Sequence, residues 1–167
     1  MNKNLAFDFD VNKESHTITI KREFAAELLL VWDAYTKPEL MDQWWAPKPW
    51  KCRTKTQDFR EGGHWHYAMV GPEGEEHWCW NNYITIQPQQ RYTGTDGFAD
   101  ANGTVNTDMP QSEWDVKFQD KGEKTQVNYH IKFGDLAQLE TTIQMGFKEG
   151  FTMTLNELEK LLTTAKK

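Results

Sequence analysis

The sequence predicts an α+β fold: a curved antiparallel sheet with one long helix laid against its concave face. Two periodicities predict it. Most of the chain alternates apolar and polar residues, the period of a half-buried strand. Ile143, Phe147, Phe151, Leu155, Leu158 and Leu162 instead repeat at spacings of four and three, the period of a helix face. The third observation is the aromatic content: 8 Trp, 5 Tyr and 9 Phe, 13% of 167 residues. Rings in that number fill a thick core or line a cavity for an apolar guest.

The first element is a β-hairpin. Phe7 to Val11 alternates, Asn12-Lys13-Glu14-Ser15 is turn-like, and His16 to Phe24 alternates again. With Val11 facing His16, Phe9 faces Ile18 and Phe7 faces Ile20. Ala25 to Tyr35 has helical spacing, with Leu28, Val31, Trp32 and Tyr35 on one stripe. Thr36 and Glu39 form a capping box for a second short helix, Pro38 to Trp45, which Pro47 and Pro49 end.

Strands follow at Trp50 to Phe59, His64 to Val70, Glu75 to Gln87 and Arg91 to Phe98. Gly71-Pro72-Glu73-Gly74 makes a hairpin loop between the second and third of these. Asp96 to Met109 is rich in Gly, Asp, Asn and Thr, a loop long enough to be a flap. Ser112 to Gln119 and Lys124 to Phe133 form a further hairpin. The terminal helix contains Gly146 and Gly150, each costing about 1 kcal/mol of helix propensity against Ala. Each glycine needs a reason. The expectation is space for a guest at Gly150 and close packing at Gly146.

Composition excludes several classes. Nineteen basic against 25 acidic residues give a net charge of −6, which repels phosphate backbones and anionic lipid heads. Nucleic acid is therefore not an expected partner. No apolar run approaches the roughly 20 residues of a membrane helix, and no secretory signal is visible at the start. Two cysteines, Cys52 and Cys79, read as reduced thiols of a cytoplasmic chain. The length suits a single domain over residues 1–167, with an additional strand at about 5–11.

Pairing Val70 with Glu75 sets the register of the central hairpin. Trp65, Tyr67, Trp78 and Trp80 then form one aromatic face, the floor of either a packed core or an apolar pocket. His64, His66, His77 and Cys79 fall on the other. These are metal-ligand types, but strand spacing is not a zinc-finger spacing, and no metal site is expected there. Other chemistry is scarce. Neither serine, Ser15 or Ser112, sits in a nucleophile elbow, and Glu61-Gly62-Gly63-His64 lacks the ending of a phosphate loop. Asp58 and Arg60 suit surface pairing. Asp96, in Thr95-Asp96-Gly97-Phe98, ends a strand, where it makes a turn or presents a carboxylate to a pocket.

Several motifs together resemble a known family. They are Arg22-Glu23-Phe24-Ala25-Ala26, Val31-Trp32-Asp33-Ala34, Thr36-Lys37-Pro38-Glu39 and Trp44-Trp45-Ala46-Pro47. Asp58-Phe59-Arg60-Glu61-Gly62-Gly63-His64-Trp65, Thr95-Asp96-Gly97-Phe98 and Met145-Gly146-Phe147-Lys148-Glu149-Gly150-Phe151 continue in order. From about Ile18 onward the chain resembles the bacterial homologues of the activator of heat-shock-protein-90 ATPase. Family members often carry Gly where this chain has Ala46. The eukaryotic activators have a separate N-terminal domain that these 167 residues do not include.

The resemblance implies the helix-grip fold of the START-like (SRPBCC, or Bet v 1-like) superfamily, in which many members hold a hydrophobic guest between sheet and helix. The function expected is non-catalytic binding of a small hydrophobic or amphipathic molecule, with no cofactor. The sheet side of its cavity is expected from Trp65, Tyr67, Trp78, Trp80, Asp96, Phe98 and Trp114, and the helix side from Met145, Gly146, Phe147, Gly150 and Met153. One alternative is an enzyme resembling the superfamily's polyketide cyclases and aromatases, working through Asp96, Tyr67 and His130; against it, alternation puts Val127, Tyr129 and Ile131 on one face of their strand and turns His130 outward on the other. The other is an interaction module acting on a chaperone.

Overall fold

Burying one side of each alternating segment requires strands to pair with their apolar faces in common. The computed structural model describes residues 5–165 and contains one curved antiparallel sheet of eight strands. The strands are β1 (Phe7–Asn12), β2 (Thr17–Phe24), β3 (Lys51–Gln57), β4 (His64–Val70), β5 (Glu76–Gln87), β6 (Arg91–Ala99), β7 (Ser112–Asp120) and β8 (Thr125–Phe133). Their order across the sheet is β1-β2-β8-β7-β6-β5-β4-β3. From β3 to β8 the chain meanders between neighbours. The crossing from β2 to the far edge is made by the helices α1 (Leu28–Thr36) and α2 (Pro38–Met41). Two further helices, α3 (Leu136–Gln144) and α4 (Phe147–Ala165), complete the chain. This is the helix-grip α+β architecture that the periodicities and motifs predict.

The inner face carries the core. Ile18, Ile20 and Phe24 of β2 and Val127, Tyr129, Ile131 and Phe133 of β8 are buried, while His130 and Lys132 between them are exposed. Phe151, Leu155, Leu158 and Leu162 of α4 close over this face. Tyr35 joins α1 to β8 through a hydroxyl–hydroxyl hydrogen bond with Tyr129. At the N-terminus the Ala6 N–H donates to Glu23 at 2.9 Å, and Lys121 pairs with the same carboxylate at 3.0 Å. The Ala6 N–H and the Lys121 ammonium hold the Glu23 carboxyl down at about 2, so the strap that leads into β1 is tied to β2. Arg60 and Asp58 pair on the surface at 2.6 Å.

Two hairpins differ from the sequence-based register. In the first, the loop is Lys13–His16, with His16 in the left-handed region at φ 60°. Val11 therefore faces Ile18, Phe9 faces Ile20 and Phe7 faces Arg22. This is a slip of two residues, which keeps every side chain on its expected face. In the β4–β5 hairpin the slip is one residue. The Gly71 N–H bonds the Glu75 carbonyl at 2.8 Å, and Gly74 turns at φ +88°, so the loop closes one residue later than expected. Val70 faces Glu76, Tyr67 faces Cys79 and His66 faces Trp80. A one-residue slip inverts the whole strand. Trp78 and Trp80 consequently lie on the outer face, and His77 and Cys79 on the inner one.

Three local expectations also change. Thr36 does not cap α2: its hydroxyl donates back to the Trp32 carbonyl within α1, and Lys37 takes the N-cap position. The loop expected from Asp96 begins later, because β6 continues to Ala99. The segment beyond it folds over the outer face, where His66 Nε2 lies 2.9 Å from the Asp100 carbonyl and Gly103 abuts the Trp80 ring. Finally, the long terminal helix is interrupted. The Gly146 N–H bonds the Ile143 carbonyl at 3.0 Å, and Gly146 takes φ +87° between α3 and α4.

The Gly146 expectation of close packing is thus replaced by a backbone reason: a Cβ there would meet nothing within 4 Å, but the left-handed turn disfavours any L side chain. Gly150 lies inside α4, and a Cβ there would meet only Pro47 Cγ, at an ordinary 3.7 Å. The two glycines should therefore respond oppositely to alanine. Gly146→Ala should cost about 1–2 kcal/mol, and Gly150→Ala should stabilise by up to about 1 kcal/mol. Urea melts of both variants check the contrast.

Candidate functional site

The cavity is built where the sheet's inner face parts from α4. Its wall begins in the segment after α2, where Trp45 Nε1 donates to the Tyr67 hydroxyl at 3.0 Å. With that bond the Trp45 ring stands over the sheet, edge-on to Trp65 at 5.4 Å and Phe151 at 5.9 Å and tilted against Trp114 at 6.2 Å. Trp65 lies below, stacked on Tyr67 with centroids 3.9 Å apart. Opposite, Phe147 and Phe151 stack on one face of α4 at 5.2 Å, with Trp114 edge-on to both. The space between these walls is about 320 Å³ and is partly open to solvent.

Of the residues expected from sequence, Tyr67, Asp96, Phe98, Trp114, Met145, Gly146, Phe147 and Gly150 line this space. Four do not. Trp65 is buried underneath it. Trp78 and Trp80 are on the opposite face of the sheet because of the one-residue slip in β5. Met153 projects from the far side of α4 and is 47% exposed. Sequence reasoning missed Trp45, Trp50, His77, Cys79, Ser112 and Phe151, which line the cavity. Trp45 belongs to the Trp44-Trp45-Ala46-Pro47 motif and Phe151 to the apolar stripe of the helix, but neither signal says what the ring faces. His77 and Cys79 reach the cavity because the one-residue shift in register turns them to the inner face. His64 and His66 remain outside, where His64 stacks on Trp80 at 4.5 Å, so the four metal-ligand types are split by the sheet.

The polar end of the cavity has unusual chemistry. Asp96 faces inward from β6, paired across the sheet with Asn81 on one side and Ser112 on the other. Its Oδ1 is buried and has no hydrogen-bond partner, and the Asn81 Oδ1 beside it is in the same condition. Ser112 accepts a bond from Trp114 Nε1 at 2.8 Å. Both Asn81 and Asp96 also border a second, smaller space of about 20 Å³. Burial raises the Asp96 carboxyl to about 7, against a smaller opposing pull from the Gly97 backbone N–H. Burial also raises the Cys79 thiol to about 12, with the neighbouring Asp96 adding to the rise. The Tyr67 phenol rises in the same way, so both groups stay neutral.

The fold and the cavity define the class: a helix-grip domain with an aromatic chamber between sheet and terminal helix. The family model "Activator of Hsp90 ATPase homolog 1-like protein" matches residues 25–163, and the chain belongs to that family. The solved structures it is similar to include an Arthrobacter aurescens protein with TM-score 0.89 and 26% identity, over 94% of this chain and 91% of that one. Another is Ms6760 from Mycobacterium smegmatis, with TM-score 0.86 and 28% identity, over 95% and 96% respectively. A Staphylococcus epidermidis protein is similar at TM-score 0.81 and 30% identity, over 93% and 94%. No curated protein matches the chain. Among the described residues, no helix is long and apolar enough to cross a membrane.

The raised Asp96 carboxyl couples stability to pH. The folded chain keeps this proton up to about 7, whereas an unfolded Asp releases it near about 4. This contribution is fully present below about pH 4 and declines as pH rises through the folded value. Asp96→Asn removes the titration, so it should raise the melting temperature by several degrees at pH 8 and by much less at pH 5. Paired thermal melts of the two proteins check it.

Proposed function

We propose that this chain binds a small hydrophobic or amphipathic molecule, without transforming it, in the cavity between the sheet and α4. The observation that carries the reading is the chamber itself: about 320 Å³, with Trp45, Trp50, Phe98, Trp114, Phe147 and Phe151 around it. Core aromatics pack to near-crystalline density and leave voids little larger than a water. A chamber of this size matches the lower end of ligand sites, about 300–1,000 Å³. Its apolar wall would take the body of the guest, and Asp96, Ser112 and Tyr67 would orient a polar end. Two free, buried cysteines support a reducing compartment, the cytoplasm.

One observation favours the second reading, an enzyme resembling polyketide cyclases. A carboxyl titrating at about 7 is tuned for proton transfer at neutral pH. Against it, His130, the other base in that scheme, is exposed on β8, on the face opposite the core. The binding reading needs only the chamber and is preferred.

Nile red, a neutral apolar dye, tests it. Its fluorescence should rise on adding the protein. Gly150→Leu, which extends a side chain from the cavity wall, should abolish the rise while the melting temperature stays within a few degrees. Met153→Ala, on the far side of α4, should leave the rise intact. A Gly150→Leu protein that is severely destabilised would mean that the helix packs there without usable space, and the placement of the site would be wrong.

A further inference from the structure

The cavity's charge pattern narrows its guest, taking the binding reading as the premise. Among the described residues that line it, Asp96 is the one carboxyl, and none is Lys or Arg. The Asp96 Oδ1 is aimed at no donor, although the atom is buried. A buried acceptor without a donor costs free energy that a bound donor recovers. The wall around it is made of rings: Trp45, Trp50, Phe98, Trp114, Phe147 and Phe151. Ring faces attract cations and repel anions.

These facts rank the possible heads of an amphipathic guest. A carboxylate or phosphate would meet a carboxyl and aromatic faces, with no cationic side chain to offset its desolvation. A neutral hydroxyl would supply one hydrogen bond. A protonated amine supplies the missing donor, a charge-assisted bond and attraction to the rings. We propose that the cavity selects amphipathic molecules carrying a protonated amine, with the Asp96 carboxylate as the group that holds the ammonium.

The pH dependence follows from what faces Asp96. Tyr67 from β4 and Cys79 from β5 are its titratable neighbours, and burial keeps both neutral. From α4 the cavity receives Phe147, Gly150, Phe151 and Thr154, none of which titrates. The β7 neighbours Ser112 and Trp114 and the β8 residues Ile131 and Phe133 do not titrate either. His77 of β5 also lines the cavity, so its contribution must be separated by substitution. Amine binding should strengthen as Asp96 ionises, through the region of about 7 where its carboxyl loses the proton.

The experiment compares three probes of one shape by calorimetry: 1-naphthylmethylamine, 1-naphthalenemethanol and 1-naphthoate. At pH 8 the amine should bind about 10-fold or more tighter than the alcohol, and the naphthoate weakest. Lowering the pH to 5.5, where the amine is still charged, should weaken the amine about 10-fold and leave the alcohol within about 3-fold. Asp96→Asn should remove both the amine preference and its pH dependence, whereas His77→Gln should keep both. An alcohol that binds as tightly as the amine overturns the amine preference and leaves the cavity reading standing. An amine preference that survives Asp96→Asn overturns the role of Asp96. If none of the three binds at millimolar concentration, the cavity reading falls as well. If Asp96→Asn fails to fold, the pH profile of His77→Gln decides the matter: a profile that persists there keeps the assignment to Asp96, and one that vanishes overturns it.

Discussion

The hydrogen bond from the Trp45 indole to the Tyr67 hydroxyl is the joint on which the cavity depends. It ties the segment after α2 to the middle of β4, where burial makes each polar group dependent on its partner. With that bond made, Trp45 stands as a wall between Trp65 below and Phe151 across. The ring cannot fold flat onto the sheet without leaving the buried phenol without its donor. A void therefore persists where close packing would otherwise be expected.

Around that joint the core divides into two regions. Toward β2 and β8, Leu155, Leu158 and Leu162 of α4 pack on Ile18, Ile20, Val127 and Tyr129 with no exposed surface to speak of. This side holds the helix to the sheet. Toward β5 and β6, the helix presents Gly150 and begins at the Gly146 turn, so the same helix leaves room there. One element both seals the core and roofs the cavity. The distribution of side chains along it decides which part does which.

Membership in the family, together with the likeness to solved bacterial structures, accounts for the architecture. It does not by itself account for function, because one fold hosts many sites. The chemistry particular to this chain is the contrast between an aromatic chamber and a buried carboxyl whose Oδ1 has no donor. Such a carboxyl remains protonated near neutrality through desolvation alone. A polar group kept in that condition weakens the empty fold above neutral pH, which is the usual trade of stability for a binding or catalytic site.

The sequence alone determined the order of elements, because period-two and helical periodicities differ enough to be read residue by residue. It also determined which side of β8 is buried, with Tyr129 inside and His130 outside, and that the Phe7 strand pairs with the one after it. Its motifs carried the family. Register and loop closure were decided only by the tertiary structure. A loop one residue longer at Gly71–Glu75 reversed Trp78 and Trp80 against His77 and Cys79, since each strand residue's face depends on where pairing begins. The interruption at Gly146 was equally hidden, because the apolar spacing of four runs straight through it. The state of Asp96 was hidden most completely. In sequence it is one carboxyl before a glycine, and its burial with one oxygen lacking a donor is set by residues from neighbouring strands that only the folded sheet brings beside it.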